Sequence, residues 1–267
     1  MQHVFETPGT VRLTIAIAAG DIHIETADRS STEVELHALN RAAEEAIGEL
    51  TVRCDEQVGG WTVVVEKPKR GLLSSLFDRA EIGVRVRCPR DVDVELQTGS
   101  ADVRVLGDIS SAIAKTGSGD LEFDDVRGNL EARSATGDVS ADKVGGDCAV
   151  KTASGDIRVT SVAGELVANL VSGDLELERA EGPVMAQSVS GDQRIAEITT
   201  GEVRLQSVSG DIYVGVRPGL RLYIDATSVS GDMSSDLDAA DGPPADGPLV
   251  ELRAKTVSGD VQIARAA

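Results

Sequence analysis

The feature that most constrains this chain is an 18-residue phrase, written four times without insertion between Gly119 and Ser190. Each copy opens with a Gly-Asp pair, and a second, weaker turn follows nine residues later, as at Gly146-Asp147. A fixed internal period of this length is typical of proteins that stack one structural unit on the next. The regular turn aspartates are Asp102, Asp120, Asp138, Asp156, Asp174 and Asp192, and Asp211, Asp232 and Asp260 continue the series at wider intervals.

The residues between the turns alternate between apolar and charged side chains. In Leu121-Glu122-Phe123 and Ile157-Arg158-Val159 the outer two residues are apolar and the central one is charged. Alternation with a period of two over short runs, bounded by Gly, Asp and Ser, predicts half-buried β-strands. Each repeat is therefore predicted to fold as strand, turn, strand and turn.

Two stackings of such units are possible. In a solenoid each residue lies against the residue 18 positions later and the strands run parallel, whereas in a meander each strand pairs antiparallel with the next. The first strand position after the Gly-Asp turn stays apolar from copy to copy while the two turns of a copy keep different identities, which favours the solenoid. We predict an all-β chain, a parallel β-solenoid of 18-residue two-strand coils, with the meander as the alternative. The apolar column comprises Val103, Leu121, Val139, Ile157 and Leu175.

Residues 1–97 are less regular and are predicted to form an irregular N-terminal β cap on the solenoid repeats of residues 98–267. Repeat stacks need end units of this kind because the last unit would otherwise leave the core open. The segment Arg41–Ile47 is the best candidate for a short helix. The Pro-, Gly- and Asp-rich segment 236–248 is predicted to be an excursion from the repeats. Cap strands are predicted at 11–17, 20–24, 32–37, 51–54, 61–66, 81–88 and 92–96.

The segment 67–79, KPKRGLLSSLFDR, is the least turn-like interruption of the strands because a basic patch is followed by four large apolar residues. One interpretation is that it folds back and covers the open N-terminal end of the stack. The other is that it docks a protein partner or dips into a membrane surface with the help of its basic residues. The partner-contact candidates are Lys67, Lys69, Arg70, Leu72, Leu73, Leu76 and Phe77.

The net charge of −19 disfavours nucleic acid and anionic lipid as general partners. A protein partner is therefore expected, and a peripheral membrane or membrane-protein contact stays open. The N-terminal residues lack the positively charged start of a signal peptide, and no apolar run is long enough to span a bilayer. A cytoplasmic location is the resulting expectation. Cys148 falls in an apolar column and is predicted to be a buried thiol.

Tandem Ser-Gly-Asp-hydrophobic phrases, beginning at residues 118, 154, 172, 209 and 258, carry a family resemblance. Together with the opening GTVRLTIAIAAGDIHI and the lead-in VRVRCPRDVDVELQTGSADVRV, they resemble the bacterial DUF4097 family of toast-rack β-strand-repeat proteins. The resemblance covers nearly the whole chain. It implies a β-solenoid-like stack and a suggested role in surface adhesion or envelope-stress scaffolding beside membrane proteins. The family has no established catalytic motif, so the resemblance implies no site residues.

The column of turn aspartates is the sharpest candidate for chemistry. Stacked carboxylates about 4.8 Å apart repel one another, so something must compensate. One interpretation is calcium bridging between coils, for which Asp120, Asp138, Asp156, Asp174 and Asp192 are the candidates. The chain has only Ser-Gly-Asp, however, and not the Gly-Gly-x-Gly-x-Asp of calcium-binding repeats. We favour the other interpretation, in which each carboxylate accepts backbone N–H bonds of its own or the next turn, with no metal or cofactor.

Catalytic motifs are missing from the repeats. The three His residues are all N-terminal, Gly145-Gly146-Asp147 lacks the Lys and helix of a phosphate loop, and no Gly-x-Ser-x-Gly elbow is present. Outward charges such as Arg158, Glu176 and Arg194 are predicted to neutralise one another across the coils. We therefore predict a non-enzymatic binding or scaffold module without catalytic residues. The alternatives are a carbohydrate-active enzyme on a β-helix, and a calcium-stabilised repeat protein.

Overall fold

The computed structural model describes residues 1–67, 79–237 and 248–266. The chain divides into two compact units, Met1–Asp138 and Val139–Ala267, which are described in turn. Both are built almost wholly of β-strands that stack as coils of a parallel β-solenoid, so the predicted fold class is confirmed. The division into a cap of residues 1–97 and repeats of 98–267 stays a prediction. Most of the two predicted loops, 67–79 and 236–248, lies outside the described residues.

Unit 1 contains every cap strand that the sequence predicts and one more at its N-terminus. That extra strand, β1, is followed by a chain of strands and one short helix. The elements are β1 (Gln2–Glu6), β2 (Val11–Ile17), β3 (Ala19–Ala27), β4 (Ser31–Ala38), α1 (Arg41–Ala46), a 3-10 turn (Ile47–Glu49), β5 (Thr51–Gln57), β6 (Gly60–Glu66), β7 (Glu81–Pro89), β8 (Val92–Thr98), β9 (Asp102–Lys115), β10 (Leu121–Val126) and β11 (Leu130–Ser134).

Parallel pairing in unit 1 produces two sheets. One sheet holds β7, β3, the first half of β9 and β10, and the other holds β6, β2, β8, the second half of β9 and β11. The 14-residue strand β9 belongs to both sheets, because Val103 pairs with Leu121 and Ala112 pairs with Leu130. The register between these partners is the 18-residue period of the sequence.

The outer edge of unit 1 turns antiparallel. Strand β4 pairs antiparallel with β7 and β1 with β4, while β5 pairs antiparallel with β6. Helix α1 begins after Asn40, whose Oδ1 accepts a hydrogen bond from the backbone N–H of Ala43 at 2.9 Å. The helix buries Ala43 and Ala46 and contacts β4 and β7. The predicted helix is thus confirmed, and it covers apolar surface beside the edge strands.

Unit 2 is more regular than unit 1, since each coil contributes one strand to each of two sheets. Its strands are β12 (Val139–Val144), β13 (Cys148–Ser154), β14 (Ile157–Val162), β15 (Leu166–Ser172), β16 (Leu175–Ala180), β17 (Val184–Ser190), β18 (Gln193–Ile198), β19 (Gly201–Ser209), β20 (Ile212–Val216), β21 (Arg221–Ser230), β22 (Met233–Ser235), β23 (Leu249–Ser258) and β24 (Val261–Arg265). Equivalent positions of successive coils pair at the predicted 18-residue period, for example Ile157 with Leu175 and Leu166 with Val184. The meander alternative is therefore wrong.

The last coils of unit 2 do not stack in chain order. Strand β23 lies between β19 and β21, and β24 lies between β20 and β22. The coil that comes last in the sequence is thus inserted, and the coil formed by β21 and β22 is the outermost of the unit. The aspartate series that the sequence suggests as Asp211, Asp232 and Asp260 is therefore ordered Asp211, Asp260 and Asp232 in space.

Close backbone approach explains the Gly of the Ser-Gly-Asp phrase. Gly173 and Gly191 have φ angles of 130° and 124°, and a Cβ added to Gly191 would collide with the carbonyl oxygen of Gly173. Only Gly fits where one turn lies this closely against the next. The interior between the sheets is filled by the predicted aliphatic columns, with Phe123 as its largest fully buried side chain.

Candidate functional site

The turn aspartates form a column of hydrogen bonds within each unit. In unit 1 the backbone N–H of Asp120 donates to Asp102 Oδ1 at 3.1 Å, and that of Asp138 donates to Asp120 Oδ1 at 2.9 Å. In unit 2 the same bond, at 2.8–3.0 Å, joins Asp156 to Asp174, Asp174 to Asp192, Asp192 to Asp211, Asp211 to Asp260 and Asp260 to Asp232. Each such bond ties a turn to its neighbour, as the hydrogen-bond interpretation predicts.

The calcium candidates Asp120, Asp138, Asp156, Asp174 and Asp192 thus lie in these columns, spaced one coil apart. Within the described ranges, no cluster of three or more His, Cys, Asp or Glu side chains has the arrangement of a metal site. The Oδ1 atoms of Asp120, Asp174 and Asp192 already accept a backbone N–H. The geometry therefore gives these carboxylates a structural role in the turns.

Charged side chains on the outward faces pair with charged side chains on the neighbouring strand. Arg158 and Glu176 lie in register, with Arg158 Nε 3.8 Å from Glu176 Oε2. Arg194 continues the row in register, and its guanidinium also lies 4.3 Å from the centre of the Tyr213 ring. The predicted row is confirmed. Because both side chains of the Arg158–Glu176 pair are about half exposed, the pair adds little stability.

The partner-contact candidates of the basic-apolar segment are mostly beyond what the structure describes. Lys67 is exposed directly after β6. The other candidates, Lys69, Arg70, Leu72, Leu73, Leu76 and Phe77, lie outside the described residues. Their two interpretations, covering the stack or docking a partner, stay predictions.

Unit 2 carries an exposed valine on each of five neighbouring strands. Each precedes a Ser-Gly-Asp turn and is 50–75% exposed. The flanking pairs Ser190–Ser209 and Ser209–Ser258 place these valines beside one another on adjacent strands. We call this column the valine ladder. Its members, in spatial order, are Val171, Val189, Val208, Val257 and Val229.

Strand alternation explains why the valines point outward. The preceding residues Leu170, Ser188, Ser207 and Thr256 are buried, so the next side chain on each strand faces solvent. The row on the other side of these buried residues is polar and includes Asn169, Gln187 and Gln206. The ladder valines other than Val171, together with this amide row and Lys255, line a shallow groove of about 580 Å³. β-branched side chains at strand spacing have few rotamers, so the ladder is a stiff apolar surface.

The valine ladder was not among the sequence-predicted sites, although a signal for it was present. Valine precedes Ser-Gly-Asp at five positions, whereas earlier copies have smaller residues there, Ala135 in unit 1 and Ala153 in unit 2. Ordinary surface positions vary between copies, so a repeated apolar residue at an outward position indicates a contact surface. The Ser-Gly-Asp phrase by itself predicts a turn and does not indicate the exposed residue before it.

The cysteines are free thiols. Cys148 is fully buried, as predicted, and burial raises the pKa of its thiol to about 12. Burial likewise raises the pKa of Cys88 to about 12. Cys54 is only partly buried, on the edge strand β5, and its pKa is raised by burial and by the neighbouring carboxylate of Asp55. The two buried thiols are thus un-ionised packing groups near neutral pH.

These features define a class: a repeat protein of parallel β-solenoid coils whose turns are tied by aspartates and whose flat faces carry side-chain ladders. The chain belongs to the Toastrack DUF4097 family, whose model matches residues 11–264. The resemblance inferred from the Ser-Gly-Asp phrases is therefore confirmed. A comparison with curated proteins finds no match.

Three solved structures are similar to this chain at low sequence identity. A "putative lipid binding protein" from Parabacteroides distasonis ATCC 8503 is 15% identical with a TM-score of 0.47, and 98% of this chain and 96% of that chain are covered. A "putative adhesin" from Bacteroides fragilis NCTC 9343 is 13% identical with a TM-score of 0.42 and the same coverage. A "putative cell adhesion protein" from Clostridium sporogenes ATCC 15579 is 9% identical, with a TM-score of 0.30 and 99% of both chains covered.

The helices of residues 1–67, 79–237 and 248–266 were compared with the requirements of a membrane span. No helix there has the length and apolar character needed to cross a bilayer.

Proposed function

We propose that this chain is a non-enzymatic binding module that presents the valine ladder of unit 2 to a protein partner. The observation that carries the proposal is the ladder itself, in which five valines at one outward position lie side by side and stay at least half exposed. Single exposed apolar residues are normal on protein surfaces, whereas a contiguous apolar column marks an interaction site.

The surroundings of the ladder suit a protein interface. Fully burying a Val side chain contributes about 1.5–3 kcal/mol, so a partner that covers several half-exposed valines gains a useful binding free energy. The adjoining row of Asn169, Gln187, Gln206 and Lys255 offers hydrogen-bond donors and acceptors along the same groove. An apolar centre with a polar border is the usual composition of a protein–protein contact.

The outward carboxylates support a structural assignment in place of catalysis. Glu122 is bonded to Arg104 at 2.7 Å and Glu197 to Arg179 at 2.9 Å, each one coil away. The turn aspartates accept backbone N–H groups. The proposal extends to a scaffold role in adhesion or envelope stress, as the family resemblance suggests, and the location in the cell stays a prediction.

Site-specific photo-crosslinking of the full chain in its native cells tests the proposal. A benzophenone amino acid in place of Gln187, beside the valine ladder, is expected to give a discrete adduct with a protein. Val189→Ser with Val208→Ser should remove most of that adduct while leaving the melting temperature nearly unchanged, because both side chains are half exposed.

The matched control carries the same crosslinker in place of Glu178, which is exposed on β16 in the other sheet. This position is expected to give no discrete adduct. Equal adducts from both positions, a protein adduct that survives loss of the two valines, or no protein adduct at all would each overturn the proposal.

A further inference from the structure

Unit 2 ends in a coil that is paired on one side alone. Within the described residues, β21 pairs with β23 and β22 pairs with β24, and nothing pairs with their outer sides. Ile224 and Met233 of this coil are 38% and 59% exposed, although the equivalent residues of the adjacent coil, Leu252 and Val261, are buried. The backbone N–H and C=O groups on the outer side of β21 are therefore available to another strand.

The edge strand β21 has few of the devices that usually protect an edge, since its charges are limited to Arg221 and Asp225. It is ten residues long, keeps continuous register with β23, and contains neither Lys nor Pro. Natural edges are blunted by short strands, charged side chains, Pro or bulges. By contrast, the edge strand β5 of unit 1 carries three charged residues within four positions, Arg53, Asp55 and Glu56. A weakly protected edge of this length is suited to strand addition.

We infer that a second copy of this chain covers this edge, with β21 of one copy pairing antiparallel with β21 of the other. The inference concerns the outer edge of β21, which shares Thr227 and Val229 with the groove beside Gln187 and only Val229 with the valine ladder. An antiparallel pair of identical strands has a two-fold axis, so each contact is made twice and the assembly closes as a dimer.

The residues of β21 select the position of that axis. An axis at Asp225 or at Ala226 keeps most of the strand paired. With the axis at Asp225, two carboxylates would face each other directly, which is destabilising. With the axis at Ala226, Tyr223 of one copy faces Val229 of the other, and Asp225 faces Thr227. Aromatic and β-branched side chains form favourable cross-strand pairs, so this register is the one expected.

Charge complementarity also favours a second copy. The whole chain has a net charge of −19, so two copies repel unless the contact compensates. In the Ala226 register, Arg221 of one copy lies opposite Gly231 of the other and therefore beside Asp232. The two symmetric pairs of Arg221 with Asp232 bring opposite charges together at both ends of the paired strands, where the side chains are exposed.

Sedimentation velocity of the full chain over a wide concentration range tests the inference. The wild-type chain is expected to form a dimer. Tyr223→Lys with Val229→Lys places lysines opposite each other twice, and should raise the dimer dissociation constant at least about tenfold. Tyr223→Lys with Val229→Glu uses the same positions but makes opposite charges face each other, and should restore the dimer.

The substituted side chains are largely exposed in the single chain, so circular dichroism should show unchanged folding. Val189→Lys, at the same ladder position on an inner coil, is the matched control and should leave the dimer intact. A wild-type monomer at all concentrations, species that grow beyond dimers, a dimer unaffected by the two lysines, or failure of the Glu variant to restore it would each overturn the inference. The inference would also be overturned if the chain stayed monomeric and an unrelated peptide paired with β21 as an added strand.

Discussion

The outer edges of the two units differ, although both units are built from the same parallel coils. In unit 1 the edge turns antiparallel, and the residues behind it are buried: Val34 and Leu36 on β4, and Val65 on β6. In unit 2 the edge is an ordinary coil that pairs on one side alone in the described residues, and Ile224 and Met233 are exposed. The same repeat can thus be closed or left open at its end.

The difference between the two edges shows which features end a stack of parallel coils. Closing it takes a change of strand direction, short or charged edge strands and a covering element, and unit 1 has all three. Strand β1 has five residues, β5 is rich in charge, and α1 buries Ala43 and Ala46. In the described residues, β21 of unit 2 keeps the parallel direction, is ten residues long with two charges, and has no covering element. We therefore expect unit 1 to owe more stability to its edge than unit 2 does.

The largest expected effect comes from truncating one apolar side chain near each edge. Leu36→Ala should lower the free energy of unfolding by about 3 kcal/mol, because it leaves a cavity behind the unit 1 edge. Met233→Ala should lower it by less than about 0.5 kcal/mol, because that side chain is exposed. Urea unfolding of each full-length variant gives both numbers.

These measurements should be made at the lowest workable protein concentration, so that a second copy does not cover the unit 2 edge. A loss for Met233→Ala that grows with protein concentration would support the dimer. Equal losses for both variants at low concentration would show that the two edges are equally closed, and the comparison would be wrong.

A smaller effect is expected in the aspartate column. Asp174→Ala removes the acceptor of the Asp192 backbone N–H and should lower the free energy of unfolding by about 1 kcal/mol. Asp232→Ala at the outermost coil should change it by less than about 0.5 kcal/mol, since no further coil donates to its carboxylate in the described residues. Thermal unfolding followed by circular dichroism measures both.

The conservative variant Asp174→Asn keeps an oxygen acceptor and removes the charge. It should retain most of the stability that Asp174→Ala loses. If the Asn variant were as unstable as the Ala variant, the charge of the carboxylate would matter more than its hydrogen bond, and the structural role assigned to the column would be contradicted.

Most of the fold could be predicted from the sequence because the period and the alternation are repeated many times. Ile157, Leu175 and their equivalents report the same register independently. The coil order at the end of unit 2 could not be predicted, since Ile212, Met233 and Val261 are all apolar and would stack in either order. The polar Ser235, at a position where inner coils have aliphatic residues, was the one sign that its coil is outermost.

The candidate site was harder to predict than the fold. The sequence drew attention to charges, and the structure shows them paired or used as backbone acceptors. The valine ladder is a property of exposure, which follows only once Leu170 or Ser188 is known to point inward. The open edge at β21 depends on which coil is outermost, so it could not be inferred before the insertion of β23 was known.

The smallest expected effect is that of calcium. A calcium ion takes 6–8 oxygen ligands at about 2.3–2.6 Å. In the column, Asp174 Oδ1 and Asp192 Oδ1 each accept an N–H at 2.8 Å, so bridging would rely mainly on the Oδ2 atoms, which are fewer than a calcium ion needs. Neither millimolar calcium nor a chelator should shift the melting temperature by more than about 1 °C, as differential scanning calorimetry can check.

This result would bear on the edge of unit 2, because the column of that unit runs to its outermost coil at Asp232. A site filled at one hundred times its dissociation constant would add about 2.7 kcal/mol, which is a shift of several degrees. A rise of that size, lost in Asp174→Asn, would establish calcium bridging and would make the open edge of unit 2 a place where a further ion could bind. An unchanged melting temperature leaves hydrogen bonds as the means by which the turns are joined, and the outermost Asp232 as the carboxylate left for a second copy to meet.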